Sequence, residues 1–140
     1  MSQPRVLVLG GTGFVGRHVC EQLARLGWQI TVPTRRAANA ASVQSLPGVT
    51  VIEASVHSPA DLARLMPGHD AVVNLVAILH GSEAAFERTH VELPRKIAAA
   101  CQASGVRRLV HVSALGVAED GPSQYQRSKA QGEALLRAAG

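Results

Sequence analysis

The chain has 140 residues, 46% hydrophobic and 17% charged, enough apolar material for one globular domain with a sizeable core. Fourteen Lys and Arg against ten Asp and Glu give a net charge of +4, scattered rather than clustered, and only 3% of residues are aromatic. That balance argues against a nucleic-acid surface, which needs a basic stripe and stacking rings, and suits an anionic small molecule.

The first apolar run, Val6–Leu9, predicts a β-strand, and the glycine-rich stretch behind it leads into a helix over Phe14–Leu26 closed by Gly27. A second strand is predicted at Gln29–Pro33, then a short helix over Ala38–Leu46 and a third strand at Val49–Ile52. In "SPADLARLMPG" the helix punctuation is explicit. Ser58 can cap, Pro59 suits the first helical position, Asp61 favours the positive helix end, and Pro67-Gly68 stop the helix after Leu65. The near-continuous apolar run Ala71–Val76 reads as a strand buried on both faces. A long helical region over Glu83–Ala103 contains Pro94, so a kink or break is expected around His90–Leu93. A fifth strand at Leu109–Val112 and a helix over Ser123–Ala139 complete the pattern.

Strand and helix alternate throughout, which implies right-handed crossovers and a parallel sheet covered on both faces. The expected fold is α/β, a Rossmann-like doubly wound sheet in the order 3-2-1-4-5, as one domain over residues 1–140. Its ligand crevice would lie at the carboxyl ends of strands 1 and 4. The two cysteines, Cys20 and Cys101, form no CxxC pair and follow no secretory leader, so a cytoplasmic compartment is expected. The six histidines show no paired ligand spacing, so no metal site is expected, and no run is long enough for a membrane span.

Four glycines fall within seven residues, Gly10, Gly11, Gly13 and Gly16, directly between a strand and a helix. Read as GxGxxG, they suit a tight turn, close approach of a pyrophosphate at the middle glycine, and close helix–strand packing at the last. A dinucleotide is the implied ligand, its phosphates over Thr12, Gly13, Phe14 and Val15 at the amino end of the helix. No acidic residue occurs between Ile30 and Asn39 to accept from a ribose 2′-hydroxyl, whereas Arg35 and Arg36 can meet a 2′-phosphate. NADP(H) is therefore expected, with NAD(H) as the alternative.

Tyr125 and Lys129 stand at i and i+4, one turn apart on one helix face. Tyrosine is a poor base at its reference pKa of about 10, and a neighbouring ammonium favours the phenolate. Ser113, at the end of the fifth strand, could hold a substrate oxygen on the crevice rim.

"GGTGFVG" and "YQRSK" together resemble the short-chain dehydrogenase/reductases, in their extended and atypical branches, which include nucleotide-sugar epimerases and dehydratases. "VNLVAIL" and "PSQYQRSKAQGE" look closest to bacterial relatives of the nucleotide-binding accessory subunit of respiratory complex I. The resemblance implies Tyr125 as acid/base, Lys129 on the nicotinamide ribose, and Ser113 orienting substrate. It also implies Ser55 and Val56 at the adenine, with Ser55 where the family often has an acidic residue, and Ala77 beside the cofactor. Family members continue for a sixth and usually a seventh strand and a substrate-binding region. The chain is therefore expected to be the amino-terminal part of a longer protein, or a reduced version, with strand 5 as an exposed edge open to self-association. Two functions follow: an oxidoreductase or epimerase/dehydratase acting on an unidentified small molecule, or a dinucleotide-binding module without turnover.

Overall fold

Alternate residues of the first strand supply two separate cores. In the computed structural model, which describes residues 3–113 and 120–139, β1 (Arg5–Leu9) turns Val6 and Val8 to one face and Leu7 and Leu9 to the other. On the first face lie Cys20 of α1 (Phe14–Arg25) and Val43 of the short α2 (Ala41–Gln44). On the second lie Leu62 and Leu65 of α3 (Pro59–Leu65) and Leu93, Ile97 and Cys101 of α5 (Leu93–Ser104). Burial of both faces explains why the strands read as continuous apolar runs.

The sheet is five-stranded, in the order β3-β2-β1-β4-β5, and the pairings among the described strands are parallel, as the alternation of elements implies. β2 is Gln29–Thr34, β3 Val49–Glu53, β4 Ala71–Asn74 and β5 Leu109–His111. β1 pairs with both β2 (Val6 opposite Ile30) and β4 (Val6 opposite Ala71), so its carboxyl end opens at the point where the strand order reverses. β4 is shorter than its apolar run predicts. The Asn74 side chain accepts from Val76 N–H at 3.2 Å, a local bond that turns the chain out of the sheet.

The long helical region breaks where Pro94 withholds its N–H. α4 (Glu83–Glu87) widens into a π turn over Arg88–Glu92 before α5 resumes. The helix expected over Ala38–Leu46 is instead a 3₁₀ turn, Ala37–Ala40, followed by the single turn of α2. α3 forms as its punctuation predicts, with Ser58 Oγ accepting from Asp61 N–H at 3.2 Å and Pro59 in the first turn. α6 (Gln124–Ala139) packs on the π turn and on α5. Among the described residues no helix is long and apolar enough to cross a membrane.

Candidate functional site

Each glycine of the turn after β1 meets a different constraint. Gly10 has φ +84°, a left-handed conformation, and a Cβ there would press on the Leu75 carbonyl carbon at 3.0 Å. A Cβ at Gly16 would overlap the Gly10 carbonyl oxygen, so α1 lies against the turn only because the residue is glycine. Gly13 is different. Its φ of −78° is ordinary and the nearest atom to a Cβ would be Gly10 O at 3.5 Å. The fold alone does not require glycine at that position.

Gly13 is also the residue that opens α1, and no side chain caps that end, nor does its first turn carry an acidic residue. By contrast α3 and α4 are capped by Ser58 and Ser82. The uncapped amino end of α1 keeps its N–H donors and partial positive charge for a ligand. Phe14 and Val15 are exposed beside it.

Next to the turn, a crevice of about 220 Å³ is lined by Gly10, Thr12, Thr34, Arg35, Asn39, Ser55, Val56 and His57, among others. Arg35 thus faces the crevice; Arg36 is outside its lining and accepts a bond from Thr34 Oγ1 on its backbone carbonyl, at 3.1 Å. Ala77 also falls outside the lining, although its neighbour Val76 contributes. Ser55 is held by its backbone: its N–H donates to Asp61 Oδ2 at 2.8 Å. That bond, then the Arg64 guanidinium, keeps the Asp61 carboxyl below its usual value.

Two residues here had no local sequence signal. Glu53 ends β3 opposite Thr34 and accepts from Ala37 N–H at 3.2 Å, outside the crevice lining. His57 lines the crevice, and Lys96 of α5 fixes its backbone carbonyl at 2.9 Å. Burial, followed by the Arg88, Lys96 and Arg35 charges, holds the His57 imidazole below its usual pKa.

The second half of the site is carried by α6. Tyr125, Ser128, Lys129 and Gly132 fall at i, i+3, i+4 and i+7, one continuous face. Lys129 is only 2% exposed and donates from Nζ to the Val112 carbonyl at 3.0 Å, which brings it beside the end of β5 and next to Ser113. Burial lowers its pKa, with Glu133 opposing the shift. Ser113 Oγ is buried and unpartnered among the described residues. The Tyr125 ring stands edge-on to the His90 ring, centroids 5.4 Å apart at 85°. Below them, Asn74 has its oxygen engaged by Val76 N–H, so its amide nitrogen donates to His111 Nδ1 at 3.1 Å. Burial, then the Lys129 charge, pushes both His90 and His111 down to about 4, so both are neutral at neutral pH.

A family model described as NAD(P)H-binding matches residues 10–140. The chain is 32% identical over 135 residues to the mitochondrial NADH dehydrogenase (ubiquinone) 1 alpha subcomplex subunit 9 of Mus musculus, a match covering 93% of this chain and 36% of that protein. It is 33% identical to a ceramide reductase of Caulobacter vibrioides, across 96% of this chain and 42% of that one. Among solved structures it superposes on a dTDP-glucose 4,6-dehydratase of Streptomyces venezuelae with NAD bound. The TM-score is 0.81 at 28% identity, over 96% of this chain and 51% of the dehydratase. The chain spans well under half the length of these curated relatives.

Proposed function

The chain belongs to the NAD(P)H-binding family, and from that premise we propose that it binds NADP(H) in preference to NAD(H). Gly13 carries the reading: it is a glycine that the fold leaves unexplained, at the uncapped amino end of α1. The pyrophosphate lies over Thr12–Val15, where a Cβ at position 13 would exclude it. Arg35 meets the 2′-phosphate, while Glu53, the nearby carboxylate, is occupied by the Ala37 amide. Ser55 and Val56 border the adenine, and the chain after β4 at Ala77 flanks the nicotinamide half.

For a protein of the relatives' length, the function would be that of an oxidoreductase or an epimerase/dehydratase. A bound nicotinamide supplies or accepts hydride at its C4. Tyr125 takes the carbinol proton in the oxidising direction and returns it in the other, Lys129 holds the phenolate state by its charge, and Ser113 orients the substrate oxygen. For these 140 residues alone, binding without turnover is the better reading. Lys129 is buried on the Val112 carbonyl, and one relative is itself a subunit of a larger dehydrogenase. The outer edge of β5 also offers a surface for a second copy.

Calorimetric titration with NADPH and NADH tests the proposal. Wild type should bind NADPH more tightly, and a folded Gly13→Val variant should bind neither. Unchanged affinity in that variant would sink the pyrophosphate placement, and equal affinities in wild type would sink the cofactor preference.

A further inference from the structure

His90 lies in the π turn, 2% exposed, and its imidazole reaches three separate segments. The backbone N–H of Ile78, in the segment that leaves β4 beside the crevice, donates to Nε2 at 3.1 Å. A backbone amide can only donate, so Nε2 is the acceptor and the ring proton is on Nδ1. Nδ1–H therefore donates to Ser128 Oγ at 2.8 Å, and the Ser128 hydroxyl donates in turn to the Tyr125 carbonyl at 3.2 Å. The ring also lies between Phe86, centroids 5.6 Å apart, and the edge-on Tyr125. One turn further along α6, Gly132 allows the helix to rest directly on the His90 carbonyl oxygen.

We propose that His90 is a positioning residue that locks the Tyr125–Lys129 face of α6 in register with the cofactor crevice, through Ile78 on one side and Ser128 on the other. The proposal rests on the reading of Tyr125 as the acid/base of a dinucleotide site. It assigns the bridge a fixed direction: crevice amide to Nε2, Nδ1–H to Ser128, Ser128 to the backbone of Tyr125. The bridge requires a neutral ring. A proton on Nε2 would face the Ile78 N–H donor to donor, with the Lys129 ammonium of α6 as the cationic neighbour, the neutral His111 of β5 nearby, and Glu133 beyond them as the opposing charge. Placing the tether at Ser128 rather than at the phenol leaves the Tyr125 hydroxyl outside the bridge, available for a substrate.

Nitrogen-15 NMR of the unliganded protein tests the direction. Two histidines should show the Nδ1-protonated neutral tautomer, His90 and His69, whose Nδ1 faces the Met66 carbonyl at 3.3 Å, and one of the two signals should vanish in His90→Gln; an Nε2-protonated His90 would overturn the bridge. Amide hydrogen exchange with NADPH as the probe tests the coupling. In wild type, NADPH should slow exchange at Tyr125–Lys129. His90→Phe keeps a ring against Tyr125 but removes both hydrogen bonds, and should lose about tenfold of that protection, the net worth of one bond, with NADPH affinity little changed. His90→Gln, which can accept and donate in the same places, should restore it. Wild-type protection in His90→Phe, or failure of His90→Gln beside it, overturns the proposal. A wild type that binds neither NADPH nor NADH counts against the dinucleotide reading. The bridge is then judged by the tautomer and by α6 exchange in the same unliganded variants.

Discussion

A methyl group added at Gly16 would overlap the carbonyl oxygen of Gly10, whereas one added at Gly13 would stand 3.5 Å from the same oxygen. The two positions should therefore separate stability from binding. Gly16→Ala should lose about 1–3 kcal/mol through overpacking. Gly13→Ala should stay within about 1 kcal/mol of wild type, because its backbone conformation suits any residue. Denaturant melts of the two variants check both expectations. Arg35 and Arg36 separate in the same way, since only Arg35 lines the crevice. Replacing Arg35 with Ala should cost NADPH about 1.5–3 kcal/mol, roughly tenfold to a hundredfold in affinity, and leave NADH nearly untouched. Arg36→Ala should change neither; a loss at Arg36 instead would place the 2′-phosphate on the other side of the loop.

At the scale of elements, the junction of the π turn, β5 and α6 brings together a buried and a half-buried neutral imidazole, and this makes stability depend on pH. His90 and His111 have folded pKa values of about 4, below the value near 6.5 that an unfolded histidine shows. Between those limits the unfolded chain binds protons that the native state refuses. Stability is thus complete above about pH 6.5 and falls as pH drops toward 4. Urea melts across that range should show the decline, and His90→Gln should flatten it; an equally steep profile would mean that other groups dominate. How much of this junction was legible in the sequence follows from distance along the chain. Pro94 and the helix punctuation at Ser58 are local, and both predicted what formed. The alternation of apolar and amphipathic runs is local too and predicted parallel strands, whereas their order followed only from the usual topology of a dinucleotide-binding sheet. His90 and Ser128 are 38 residues apart, and no local pattern announces such a pair, although the i, i+3, i+4, i+7 face of α6 was there to be read. Glu53 lies two residues ahead of Ser55, the position where the resemblance looks for an acidic residue, and only the pairing of β2 with β3 sets its carboxylate opposite Thr34. The helix expected over Ala38–Leu46 shrank because nothing in "AANAASVQ" caps it.

Among the described strands the sheet ends at β3 on one side and at β5 on the other. β5 pairs with β4 alone among the described strands, and Val110 and Val112 are 53% and 43% exposed. An apolar parallel edge of this kind invites pairing with another copy. Light scattering over a wide concentration range should show association, and Val112→Lys, a charge on that edge, should suppress it. A chain that stays monomeric when concentrated would show that the edge is protected by other means.

β1 sits at the opposite extreme, in the middle of everything. Its alternate residues seed both cores, and it is flanked by β2 on one side and β4 on the other. Yet Arg5 and its β4-side partner Asp70 are 65 residues apart. Of the five described strands it leaves the ribosome ahead of the others, and its second neighbour, β4, arrives only after β2, β3 and α3. During synthesis, Val6–Leu9 can pair with β2 but one edge and one face stay uncovered until β4 and α5 emerge. The strand that organises the finished protein is therefore the one that waits longest for its partners, and the pace of synthesis between β1 and α5 sets how long its apolar side chains stay open to other contacts.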